Sequence, residues 1–161
     1  INMNFTIDRN NFTIDNVLLM DSKKNVIMEG SFTKMNYLSQ YLTMNGLFFY
    51  IDIDLKSKCN MEKHYIQYDP YTEYNLPIIQ FLSNLEMELL NYYLNNKQKN
   101  KKKNTLFSKQ LYTGYLKVTP DENKDNLSMK KRLIVKISGI WETTEEIGIT
   151  YKMFEGGLIT L

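Results

Sequence analysis

Helical periodicity is clear in one stretch of this chain, and β-prone runs lie on both sides of it. Ile78, Leu82, Leu85, Leu89 and Tyr93 recur at helical spacing, while Gln80, Asn84, Glu88 and Asn91 fall elsewhere on the wheel. Asn75 is placed to cap this helix and Pro77 suits its first turn; the pattern runs to about Leu94. Upstream, the β-prone runs are 17–20, 26–28, 31–38 and 47–55, with 65–68 as a further short one. In the 47–55 run Ile51, Ile53 and Leu55 alternate with Asp52 and Asp54, which predicts an inward apolar face and an outward acidic one. Downstream, strand-like residues resume at 106–118 and again at 133–141 and 147–154. Helices that do not alternate with strands exclude a doubly wound parallel sheet.

The expected fold class is therefore mainly β with one helix. It corresponds to an OB-like antiparallel barrel with a single helix midway along the chain. Two turns are expected near the start. Phe5-Thr-Ile-Asp8 and Phe12-Thr-Ile-Asp15 flank Arg9-Asn-Asn11 and read as a hairpin. Asp21 to Asn25 reads as the turn between the 17–20 and 26–28 runs. The chain has 161 residues and is 43% hydrophobic, enough for one core, so 1–161 is expected as a single domain. Residues 95–104, NNKQKNKKKN, contain no apolar side chain and read as a lysine-rich flexible loop within it.

The chemistry of catalysis is thin. His64 is the sole histidine and Cys59 the sole cysteine, so a histidine-built active site, a cysteine zinc site and an internal disulfide are all disfavoured. The seven glycines lack the spacing of a phosphate-binding loop. Asp52 and Asp54 share a strand face and could hold a hard cation, but outward-facing alternation explains them more simply. No enzyme, metal or cofactor is expected. No run approaches a membrane span, and the single cysteine fits a reducing, intracellular setting. A net charge of +2 is too small to imply a polyanionic partner, so any basic character must be local. The chain has no alanine and only two arginines, Arg9 and Arg132; the excess of Asn, Lys, Ile and Tyr points to an AT-rich genome.

Two local features remain. Lys97, Lys99, Lys101, Lys102 and Lys103 form a run of five cations that could follow phosphates or simply be a solvated loop. The C-terminal hairpin interleaves lysines and rings: Lys136, Trp141, Tyr151, Lys152 and Phe154. Its alternative reading is structural, with Leu133, Val135, Ile137, Ile149, Tyr151 and Met153 all on the core side and Trp141 filling that core.

Gly139-Ile-Trp141, followed after a few residues by Gly148-Ile-Thr-Tyr-Lys152, resembles a pattern in phage-type OB-fold single-stranded DNA-binding proteins of large nucleocytoplasmic DNA viruses. The resemblance covers roughly the last thirty residues. It implies a sequence-independent binder of single-stranded DNA acting in viral replication, repair or recombination. Such a protein would work in the host cytoplasm, viral factory or nucleus. Trp141 and Tyr151 are then the stacking candidates, with Tyr112 and Tyr115 on the preceding strand. Lys117, Lys136, Lys152 and Lys101, Lys102 and Lys103 would track the phosphates. Should Tyr151 follow its parity into the core, Lys152 and Phe154 make the exposed face instead. The competing expectation is a structural or assembly component of a virus particle, engaging copies of itself or other viral proteins through β-edges and aromatic patches.

Overall fold

A computed structural model of the chain describes residues 5–25, 29–56, 64–120 and 129–156. In chain order the elements are β1 (Val17–Lys24), β2 (Ser31–Leu38), β3 (Thr43–Met44), β4 (Leu47–Asp54) and β5 (Tyr65–Gln67). There follow α1 (Leu76–Lys97), β6 (Lys102–Lys103), α2 (Leu106–Thr113), β7 (Tyr115–Lys117), β8 (Lys130–Glu142) and β9 (Glu146–Glu155). The architecture is β-rich α+β, and the main sheet curls into a half-barrel. Its path is β1-β2-β8-β9-β6, with β3 on β2 and β4 on β8; β5 and β7 form a separate pair.

The long strand β8 organises the sheet. One of its edges pairs with β9 along nearly its whole length. Its other edge is shared: Lys130 to Ile137 pair with β4, and Gly139 to Glu142 pair with β2. The change of partner falls at a register shift between Ile137 and Gly139, where Ser138 is the extra residue. A bulge bends the strand that carries it, which is what a curling sheet requires here. Alternation sends Leu133, Val135 and Ile137 inward. There they join Phe49, Ile51 and Ile53 of β4, Met35 of β2 and Ile79, Leu82, Leu85 and Leu89 of α1 in one core.

The main hairpin and the principal helix lie where periodicity put them, and five expectations need correction, the last of them at Asn75. The single-helix expectation gives way to two helices, because 106–113 is α2 rather than strand. Phe107 and Leu111, four residues apart, bury one face, and Gly114 stops the helix with φ 71°, a left-handed conformation glycine adopts freely. The lysine-rich segment is not a loop throughout. α1 continues to Lys97, Gln98 ends it in the left-handed region, and Lys102–Lys103 pair in parallel with Glu146 and Ile147. Asp21 to Lys24 continue strand β1 rather than turning, with Ser22, Lys23 and Lys24 opposite Thr33, Phe32 and Ser31. Residues 5–15 do turn at Asp8, whose carbonyl accepts from the Asn11 amide. The arms are not a hairpin, however: Ile7 donates to the Phe48 carbonyl at 2.6 Å and Ile14–Asn16 form a 3-10 turn. The 26–28 run and Cys59 lie outside the described residues.

Asn75 also differs from its expected role. Its side chain makes no capping bond to α1. It is fully buried, accepts from the Asp54 amide at 2.9 Å, and donates to the carbonyls of Asp54 and Asp69 at 3.0 and 2.9 Å. It thus fastens the end of β4 to the segment that leads into the helix.

Candidate nucleic-acid interface

The face of the sheet turned away from α1 is built by the second parity of each strand. On β8 this parity carries Arg132, Ile134 and Lys136, then, past the bulge, Gly139 and Trp141. The register places Phe32 and Lys34 of β2 opposite Trp141 and Gly139. It places Phe48 and Tyr50 of β4 opposite Lys136 and Ile134. On β9, Gly148, Thr150, Lys152 and Phe154 lie opposite Trp141, Gly139, Lys136 and Ile134. Lys23 of β1 extends the row of Phe32. The result is a patch in which rings and ammonium groups occupy neighbouring positions on four strands.

Two glycines let the rings lie against the sheet. A Cβ at Gly148 would stand 2.3 Å from Cζ2 and 2.5 Å from Cε2 of Trp141, so the indole covers that backbone. A Cβ at Gly139 would meet the Thr33 carbonyl oxygen at 2.2 Å and Phe32 Cζ at 2.8 Å. An aromatic ring laid over a cross-strand glycine replaces the packing the glycine lacks. Trp141 is therefore neither a core plug nor a freely projecting ring; it is half-buried on the outer face. Phe32, Tyr50 and Phe154 are half-buried beside it. Ile134 is only 2% exposed yet stands apart from the main core, walled in by this outer layer.

Lys136 and Lys152 face each other directly across the β8–β9 ladder. Among the described residues no carboxylate pairs with either of them, or with Lys34. Like charges opposite one another destabilise a sheet. The Lys136 ammonium lies 5.4 Å from the centre of the Phe48 ring, a cation–π contact. Further along the face the charge is balanced, with Arg132 opposite Asp52 and Lys130 3.9 Å from Asp54. Asp52 accepts from the Tyr50 hydroxyl at 3.0 Å, and burial, with that hydrogen bond, pushes the phenol up to about 12. The outward acidic pair of β4 thus has protein partners, and among the described residues no cluster of metal-ligating side chains occurs.

The expected site residues divide into three groups. Trp141, Lys136 and Lys152 meet on the outer face. Tyr115, Lys117, Tyr151 and Lys152 line a groove of about 730 Å³ beside the edge of β9, together with Tyr65. Tyr115 and Lys117 are exposed on β7, and the Tyr115 ring stacks on Tyr65 at 4.7 Å between centroids and 6° between planes. Tyr151 follows core parity: its ring packs 4.3 Å from Phe107, and burial, with the nearby Glu86 carboxylate, pushes its hydroxyl up to about 12. It contributes an edge to the groove and is not an exposed stacking platform.

The remaining candidates stand elsewhere. Tyr112 is on α2, half-buried, with its ring 5.9 Å from Tyr71. Lys101 is occupied, contacting Glu142 at 2.7 Å and donating to the Thr143 carbonyl at 2.7 Å. Lys102 and Lys103 are exposed on β6, and Lys103 donates to the Asn91 side chain at 2.7 Å. The basic run is thus not a free arm of five cations. Sequence reasoning missed Phe32, Lys34, Phe48, Tyr50 and Tyr65. The first four were readable in principle as the parity opposite Met35, Tyr37, Phe49 and Ile51, but only strand order shows that they share a patch with Trp141.

No protein-family model, curated protein or solved structure matches this chain. Among the described residues no helix is long and apolar enough to cross a membrane.

Proposed function

We propose that this chain is a non-enzymatic, sequence-independent single-stranded DNA-binding module that uses the outer face of its sheet, in the replication, repair or recombination of a large DNA virus. The observation that carries this reading is the facing pair Lys136 and Lys152, without a carboxylate partner among the described residues and bordered by Phe48, Phe154, Thr150 and Gly139. Two facing ammonium groups are unfavourable alone and favourable around a phosphate. Rings laid beside them offer π-faces to any base, worth about 1–3 kcal/mol each, without reading its identity. The resemblance of the Gly139–Trp141 and Gly148–Lys152 segments to viral single-stranded DNA-binding proteins points the same way.

The test uses the lone tryptophan as its own reporter. Titration with oligo-dT at about 50 mM and about 200 mM salt should quench Trp141 saturably, with weaker binding at the higher salt. Phosphate contacts by Lys34, Lys136 and Lys152 predict a log–log salt slope near −2, about 0.7 per contact on single strands. Absence of quenching and of oligonucleotide binding at the lower salt would sink the reading.

A second reading has one observation in its favour. Among the described residues β1 pairs only with β2, and its Leu18 and Met20 are 38% and 42% exposed. An apolar strand edge suits an assembly component of a virus particle. Concentration-dependent self-association with no oligonucleotide binding would favour it over the first.

A further inference from the structure

We infer that the groove beside β9 is a nucleotide-sized subsite, distinct from the outer face, in which a base stacks on Tyr115 and its phosphate sits between Lys117 and Lys152. The inference rests on the strand-binding reading for its ligand and on the groove itself for its geometry. β5 and β7 make a small two-stranded sheet of their own, with Tyr65 opposite Lys117 and Gln67 opposite Tyr115. One side of it presents Tyr115 and Lys117, both exposed, together with Tyr65, whose ring stacks on one face of the Tyr115 ring. The chain leaving β7 is pinned to β9: Thr119 donates to the Met153 carbonyl and accepts from Glu155, both at 2.9 Å. This junction holds the small sheet a fixed distance from Lys152 and opens the groove between them.

The lining suits a nucleotide in three respects. Two cations, Lys117 and Lys152, line it, and among the described residues no carboxylate lines it and neither lysine has a carboxylate partner. Tyr115 is 48% exposed and already held flat by Tyr65, so stacking a base on it sacrifices little side-chain freedom. Gln110 and Thr119 supply hydrogen-bonding groups at the margins. Lys152 stands both in this groove and opposite Lys136, so a strand crossing the outer face reaches the groove by passing one shared cation. A base needs an aromatic support and a phosphate needs ammonium groups; the groove provides one of each kind within a single concavity.

The experiment is heteronuclear NMR on the full chain, titrated with thymidine 5′-monophosphate, with thymidine and with inorganic phosphate. The monophosphate should shift amides of residues 115–119 and 151–153 and bind more tightly than either fragment. Tyr115→Ala should weaken it about tenfold, Tyr115→Phe should leave it near the parent value, and Lys117→Gln should bring its affinity close to that of thymidine. Groove amides that do not respond to the monophosphate, or a folded Tyr115→Ala protein that binds it unchanged, would overturn the inference. The two readings fail separately. Oligo-dT quenching of Trp141 with an unresponsive groove removes the subsite alone, whereas a responsive groove without oligonucleotide binding removes the outer-face reading and keeps the pocket.

Discussion

At the scale of single residues, the outer face exchanges stability for a recognisable chemistry. Lys136 and Lys152 repel each other across the ladder with no carboxylate partner among the described residues. Lys136→Gln with Lys152→Gln should therefore leave stability equal or raise it, while oligo-dT affinity falls. The salt slope should shrink by about 1.4, from two lost contacts at about 0.7 each. Urea midpoints and salt-series titrations measure the two sides separately. Stability that drops along with binding would show that the lysines serve packing instead. Gly148 makes a complementary case. Its Cβ would sit 2.3 Å from the indole, so Gly148→Ala must displace Trp141. Overpacking of this kind costs about 1–3 kcal/mol. Oligo-dT affinity should fall about tenfold and the tryptophan emission should shift; an unchanged emission spectrum would contradict the contact.

At the scale of elements, α2 shows why part of the fold was illegible. Residues 106–113 carry Leu, Phe, Leu, Tyr and Thr, a composition that suits strand as well as helix. What decides for helix comes from another element. Glu86, fully buried on α1, accepts hydrogen bonds from the Phe107 amide at 3.2 Å, the Ser108 amide at 2.7 Å and the Ser108 hydroxyl. A carboxylate at a helix N-terminus satisfies orphan amides and suits the local dipole. Glu86→Ala should strand those donors and cost about 1–3 kcal/mol. That corresponds to about 2–4 °C of melting temperature per kcal/mol in a chain of this size. A melting temperature that does not move would show that α2 stands without this cap. The long periodic segments were legible because burial writes itself into one strand or one helix. β8, β9, β4 and α1 could be read that way, and so could the outward parity of Lys136 and Lys152. Short elements such as β6, β7 and α2 take their form from distant partners. Tyr151 is half-buried, the outcome that its parity with Ile149 and Met153 had left open. The placing of Lys101 was not legible for a distant reason, its bond to Glu142, forty-one residues ahead in sequence.

At the scale of the whole molecule, Glu142 ties together segments that sequence places far apart. Its buried carboxylate accepts from the Tyr93 hydroxyl of α1 at 2.5 Å and from Lys99 at 2.6 and 2.9 Å, and it lies 2.7 Å from Lys101. Its backbone neighbour across the ladder is Ser31 of β2. The end of the helix, the lysine-rich segment and the central strand are thus joined at one group. Burial alone would raise this carboxyl, but hydrogen bonds from Lys101, Lys99 and Tyr93 outweigh it and hold it down to about 2, against an ordinary 4.5. The sign follows from that depression. Deprotonated Glu142 is favoured in the folded chain, so its contribution is complete above about pH 4.5 and is lost as pH falls towards 2. Glu142→Gln should lower stability at pH 7 by less than the about 3–5 kcal/mol of a fully buried pair, because Lys99 keeps 40% of its side chain exposed. The same variant should lose less stability than the parent between pH 4.5 and 2, so the two curves converge in acid. Urea unfolding at pH 7, 4 and 2.5 measures this. Curves that stay parallel through the acid range would mean that the carboxylate does not carry the tie between helix, basic segment and sheet.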